Sequence, residues 1–126
     1  MRHKKNRSKL GMPTDQRLAL VRGQVAALFE HGYINTTMPR AKAVASLAEK
    51  LITKAKRRDL GSIRQCARHL PTKNSLRSLM RKVVPANLDV KSGYTNIAKL
   101  KYRRGDGALL VRLSLGKYSR VEASGG

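Results

Sequence analysis

Side chains able to do covalent or acid–base chemistry are few in this sequence. The seven carboxylates, Asp15, Glu30, Glu49, Asp59, Asp89, Asp106 and Glu122, are dispersed along the chain, whereas an acid–base site needs them converging with a nucleophile or base. Neither a Gly-x-Gly-x-x-Gly run nor a Walker loop occurs to cradle a phosphate. Cys66 stands alone, so no intramolecular disulfide can form and a Cys-rich zinc site lacks its ligands. His3, His31 and His69 are too scattered to suggest a metal cluster and read as surface or RNA-facing imidazoles. No enzyme activity, cofactor, metal or small-molecule substrate is expected. Arg104-Gly105-Asp106 matches an adhesion tripeptide, but a tight turn explains it.

What the chain does carry is cation chemistry. Its 126 residues hold 28 Lys plus Arg against 7 Asp plus Glu, a formal net charge of +21. Small soluble domains normally sit at a magnitude of roughly 2–8. Apolar residues make up 40% of the chain, too many for a wholly disordered polymer, so the charge decorates a folded domain. Spread over a ball of this size the cations would lie about 12 Å apart, close to the Debye length at physiological salt, and their repulsion is unrelieved. A polyanion supplies the missing counter-charge, nucleic acid first and an anionic membrane second. With no Trp, one Phe and four Tyr, the chain is poorly equipped to stack single-stranded bases, and recognition of phosphates on a folded, double-helical nucleic acid is favoured. Phe29 and Tyr102 are assigned to the core.

The elements that must position these cations follow from periodicity. Residues 1–14 hold five Lys or Arg and no acid, and form an extended basic arm that orders on its partner. Thr14 is the expected N-cap of a first helix, with Asp15 in its first turn; Leu18, Val21, Val25, Leu28 and Phe29 recur at helical spacing, and His31-Gly32 ends it. Tyr33 to Thr37 is a β-favouring run, and Pro39 fits the first turn of a second helix. That helix buries Val44, Leu47, Ala48, Leu51, Ile52 and Ala55 and ends in Lys54-Ala55-Lys56-Arg57-Arg58. Two shorter helices follow, one with Ile63, Cys66, Ala67 and Leu70 and stopped by Pro71, one with Leu76, Leu79, Met80 and Val83 and stopped by Pro85. Arg64 with Arg68, and Arg77 with Arg81, stand at i,i+4 on outward faces.

From Tyr94 the period changes to two. Ala98, Leu100 and Tyr102 alternate with Lys99, Lys101 and Arg103, and Leu109, Val111, Leu113 and Leu115 form a second strand after the turn Arg104-Gly105-Asp106-Gly107. One face of this antiparallel hairpin should meet the helices, and the other should show Lys99, Lys101, Arg103 and Arg112. The short strand at Ile34 to Thr37 can pair with either side of the hairpin, and residues 116–126 read as a flexible tail. The expected fold is an α/β two-layer domain over 15–115, about four helices on a small, mostly antiparallel sheet, with an extended basic N-terminal arm. The basic start has no apolar segment behind it, and no run of 18 apolar residues occurs, so a cytoplasmic location is expected.

Three segments, in order, carry a resemblance: Met1-Arg2-His3-Lys4-Lys5, Ile34-Asn35-Thr36-Thr37-Met38-Pro39-Arg40-Ala41-Lys42, and Gly93-Tyr94-Thr95 through Arg103-Arg104-Gly105-Asp106. Together they resemble the bacterial large-subunit ribosomal protein family seventeen. The resemblance implies a structural constituent of the large subunit, bound to its ribosomal RNA near the exit of the peptide tunnel beside neighbouring ribosomal proteins, in the cytoplasm. It places Arg2, His3, Lys4, Lys5, Arg40 and Lys42 on RNA, and Tyr94, Thr95, Arg103 and Arg104 on the strand and hairpin surface. Charge adds Arg7, Lys9, Arg17, Arg22, Lys54, Arg57, Arg58, Lys99 and Lys101 to the RNA-binding candidates. The chain departs from the family pattern at Asn96, where a cation is usual, and at Gly107-Ala108-Leu109-Leu110. An architectural nucleoid DNA-binding protein is the competing reading. A membrane-active protein would need aromatic-rich interfacial helices, and these helices carry small aliphatic faces.

Overall fold

The structure is a computed structural model and describes residues 14–117. Helix α1 (Thr14–His31) buries Val21, Val25, Leu28 and Phe29 on one stripe, while Leu18 lies outside that stripe, 44% exposed. Gly32 ends the helix at φ 88°, donating to the Leu28 carbonyl at 2.7 Å. A side chain would be strained at that angle. Strand β1 (Tyr33–Thr37) leads directly into α2 (Met38–Ala55), which has Pro39 in its first turn, where a missing N–H costs no bond. Ala41, Val44, Ala48, Leu51, Ile52 and Ala55 of α2 are buried, and Leu47 is half-buried.

Helix α3 (Leu60–His69) is capped by Asp59, whose Oδ1 accepts from the Ser62 N–H at 2.7 Å. Its inner face is set by Cys66 and Leu70, with Ala67 exposed. The Cys66 thiol donates to the Leu51 carbonyl at 3.5 Å, seating α3 on α2, and burial pushes its pKa up. Helix α4 (Lys73–Ser78) is capped by Thr72, which also donates to Glu30 Oε2 of α1 at 3.2 Å. Pro85 does not stop this segment as expected. The chain runs on through a π-helical turn (Leu79–Val83) into α5 (Val84–Ala86), with Pro85 in the first turn of α5. The Val84 N–H reaches back five residues to the Leu79 carbonyl, so the widened turn continues the ladder past a residue that has no N–H to give.

Strands β2 (Thr95–Tyr102) and β3 (Leu109–Leu115) form the hairpin, and the sheet order is β1-β3-β2, all antiparallel. This resolves the pairing of the short strand: β1 lies beside β3, with Ile34 opposite Leu113 and Thr36 opposite Val111. Helices α1 and α2 cover the face carrying Val111, Leu113 and Leu115. The core therefore lies under β1 and β3, between α1, α2 and the segment carrying Cys66, Leu79, Val83 and Val84, and β2 overhangs it. For that reason Tyr102, assigned to the core, is 71% exposed. The arrangement is the expected two-layer α/β domain.

One buried polar side chain, Asn87, closes the far end. Asn87 Nδ2 donates to the carbonyls of Val83 at 2.7 Å and Lys117 at 3.1 Å. Gly116 donates to the Tyr94 carbonyl at 2.8 Å, and Lys117 Nζ pairs with Asp89 at 3.4 Å. The first two residues of the expected tail are thus held, while the tail from 118 lies outside the described residues. So do the arm and the Thr14 and Asp15 capping side chains.

Candidate nucleic-acid interface

The hairpin turn is built around one carboxylate. Gly105 and Gly107 take φ of 94° and 70°, and Asp106 Oδ1 accepts from the Ala108 N–H at 3.1 Å and from Arg103 Nε at 3.0 Å, while Arg103 Nη2 pairs with Oδ2. The hydrogen bond from Arg103 holds the Asp106 carboxyl down at a pKa of about 2. Arg103 is thereby fixed in orientation with part of its charge answered, and the exposed Arg104 beside it faces no acid among the described residues.

Arg103 does not act alone. With Thr37, Pro39 and Arg40 it lines a cleft of about 290 Å³. The first turn of α2 carries no acidic side chain, and Thr37 makes no side-chain cap bond, so the positive end of the helix dipole is uncompensated where Arg40 stands. Two segments more than sixty positions apart therefore converge on one cationic recess. Lys42, one turn into α2, is exposed nearby in sequence.

The sheet contributes its outer face. None of the three strands contains a carboxylate. Arg112 crosses the face between neighbours that orient it: its guanidinium lies 4.5 Å from the Tyr33 ring centroid, and its Nε donates to Asn35 Oδ1 at 2.9 Å. Stacking over the ring and a bond at Nε leave the outer nitrogens directed to solvent. Lys101, opposite Leu110, shares this face, but Lys99, opposite Val111, lies on the helix side. The expectation that Lys99, Lys101 and Arg112 share one face is corrected by a β-bulge between Lys99 and Lys101, which inserts Leu100 and shifts the alternation by one.

A third basic region lies where α2 meets α3. Arg57 and Arg58 are exposed in the connecting turn, and Arg58 holds a left-handed φ of 60°. Lys56 turns inward: its Nζ donates to the Val90 carbonyl and to the Tyr94 hydroxyl at 3.2 Å. Tyr94, expected on RNA, is 2% exposed and donates its own hydroxyl proton to the Lys91 carbonyl at 3.0 Å. Both groups are spent on tying the end of α2 to the loop before β2, so Tyr94 is a core residue. Thr95 completes that tie, donating to Glu49 Oε2 at 2.8 Å.

On the helical side, Lys54 is half-buried and close enough to His69 to depress its pKa, as are Arg22 of α1 and Arg68 of α3, after burial itself. Arg17 is half-buried. Arg64, Arg68, Arg77 and Arg81 are all exposed, and Arg77 and Arg81 line a second cleft of about 360 Å³ with His31, Asn74, Lys82 and Glu30. Arg2, His3, Lys4, Lys5, Arg7 and Lys9 fall outside the described residues. Sequence reasoning omitted Arg112 from the binding candidates. Alternation in β3 marks it as outward, but the partners that orient it come from β1. Among the described residues, no group of three or more His, Cys, Asp or Glu is placed to hold a metal, and no helix is long and apolar enough to cross a membrane.

The profile of the family described as Ribosomal protein L17 matches residues 20–115. The chain belongs to the ribosomal protein L17 family. Large ribosomal subunit protein bL17 of Clostridium acetobutylicum is 47% identical over 107 residues, covering 85% of this chain and 94% of the relative. The protein of the same name from Finegoldia magna is 41% identical over 119 residues, 94% of this chain and 91% of the relative. That of Clostridium beijerinckii is 46% identical over 107 residues, 85% and 95% respectively. As an L17 family member the chain is a structural constituent of the large ribosomal subunit, and the nucleoid reading has no support. The resemblance read from three short segments thus extends across the domain.

Proposed function

We propose that this chain binds folded large-subunit ribosomal RNA by neutralising phosphates with Arg40, Arg103 and Arg104 around the hairpin cleft, Lys101 and Arg112 on the sheet, and Arg57 and Arg58 at the end of α2. Lys42, Lys99, Arg17, Arg22 and Lys54 extend the contact, and the arm residues Arg2, His3, Lys4, Lys5, Arg7 and Lys9 join it on assembly. The observation that carries this reading is the convergence of Arg40 and Arg103 on one recess beside a sheet whose strands hold no carboxylate. Such a surface favours backbone contacts that position RNA over base readout. The role is architectural, without catalysis or small-molecule substrate, in the cytoplasm, near the peptide exit tunnel and beside neighbouring large-subunit proteins.

The test is residue-resolved crosslinking of the protein to RNA in assembled large subunits, with copurification at low salt as the first readout. Crosslinks at Arg40, Lys101 and Arg104 are expected. Recovery solely in ribosome-free fractions, or a preference for duplex DNA over folded ribosomal RNA at matched salt, would contradict the proposal.

A further inference from the structure

Arg112 stands at the centre of the sheet's outer face, opposite Asn35 of β1 on one side and Ala98 of β2 on the other. Tyr33, two residues before Asn35, lies on the same face because strand side chains alternate. The guanidinium sits over the Tyr33 ring, 4.5 Å from its centroid, and Nε donates to Asn35 Oδ1 at 2.9 Å. Ring and amide together fix the orientation of the guanidinium plane. A point charge attracting phosphate needs no such restraint, since a lysine on a flexible stem supplies one. The pair also does little for the sheet itself: Tyr33 is 47% exposed and Arg112 is exposed, and cation–π contacts are weak at exposed sites. The Tyr33 ring covers one face of the plane. Among the described residues, neither a second ring nor a carboxylate meets the other, and on the β2 side Ala98 offers only an exposed methyl.

We infer that the Tyr33–Arg112 stack is a platform for one unpaired base of the bound RNA, which lies on the open face of the guanidinium to complete a column of ring, cation and base. The inference rests on the RNA-binding reading above and adds a base contact to a surface that reading treats as charge alone. Unpaired bases stack on aromatic rings and on guanidinium planes, and any base serves because each has a π-face. The short Ala98 side chain leaves room for the base over β2. Lys101, exposed on the same face of that strand beyond the bulge, is the cation for the phosphate attached to it. The Arg112 nitrogens not taken by Asn35 are left to donate in the plane to a flanking phosphate. No carboxylate on the three strands repels that backbone. An acidic protein segment would satisfy the charge and leave the ring-backed plane unused.

The experiment compares the affinity of the full-length protein for a single-stranded RNA decamer and for an abasic decamer with the same ribose–phosphate backbone. The wild-type chain should prefer the base-bearing decamer about fivefold or more, the low end of what one stacked base contributes. R112K keeps the charge and loses the plane. It should erase the preference and weaken binding to a folded large-subunit rRNA fragment about fivefold or more, with the log–log salt slope unchanged because no phosphate contact is lost. Y33F retains the ring and should bind like the wild type, whereas Y33L, checked for folding by circular dichroism, should behave like R112K. If the wild-type chain binds both decamers equally, or if R112K retains the preference, the platform is refuted while the RNA-binding reading stands. Arg112-dependent binding of an oligoglutamate peptide, with no preference between the decamers, would assign the face to a protein partner and also refute it. If the wild-type chain binds neither the decamers nor the folded fragment, the proposed function itself fails.

Discussion

Replacing Arg58 by glycine should make the free protein more stable and its RNA complex weaker. Arg58 is held at φ 60° in the turn between α2 and α3, a conformation that costs a residue with a Cβ about 1–2 kcal/mol and glycine almost nothing. Its backbone N–H donates to the Ala55 carbonyl at 3.0 Å, a bond that glycine keeps. Glycine's greater freedom in the unfolded chain returns about 0.5–1 kcal/mol of the relief. The net expectation is about 0.5–1 kcal/mol of stabilisation in a urea melt. The guanidinium is exposed, and as one phosphate contact its loss should lower RNA affinity about fivefold at 0.15 M salt, with the log–log salt slope falling by about 0.9. The physical claim is that a strained arginine persists here because it binds. Destabilisation by R58G, or a stabilised variant with unchanged affinity and slope, would refute it.

Two further perturbations test the frame that holds the surface. N87A removes two hydrogen bonds, to the buried Val83 carbonyl and to the Lys117 carbonyl, and strands the first of them; it should cost about 2–3 kcal/mol and lower the thermal midpoint by ~10 °C, and a loss under about 1 kcal/mol would show that these groups find other partners. The hairpin pair has a pH signature. Asp106 titrates at about 2 in the folded chain, below the ordinary value of 3.8, so the pair's contribution is present above the ordinary value and is lost as the pH falls towards about 2. NMR titration of the Asp106 carboxyl should give that low midpoint, and a midpoint near 4 would mean that Arg103 is not engaged by it.

Elements governed by local rules are legible in the sequence. The stripe of α2, the glycine stop at Gly32, the proline start at Pro39 and the glycine-bearing hairpin turn all follow from short-range sterics and periodicity. What escapes a linear reading depends on partners far along the chain. Strict alternation puts Lys99 and Lys101 on one face, and only the pairing with β3 reveals the extra residue at Leu100. Tyr94 sits in a segment that marks the binding hairpin, yet its ring and hydroxyl are taken by Lys56 and Lys91. Pro85 signals a helix stop wherever the α-helical ladder has no alternative, and the π-turn is an alternative that side-chain types do not announce. Arg112 reads as one more cation until Tyr33 and Asn35 are placed beside it. In each case the residue type is visible and its neighbour is not.

The central claim is that unpaired cations on this domain are answered by RNA phosphates. The most direct measurement is the affinity of the full-length protein for a folded large-subunit rRNA fragment across a range of salt concentrations. Contact with 6–8 phosphates predicts a slope of log K against log salt of about −5 to −7. A slope shallower than about −2, or no binding at low salt, would contradict it.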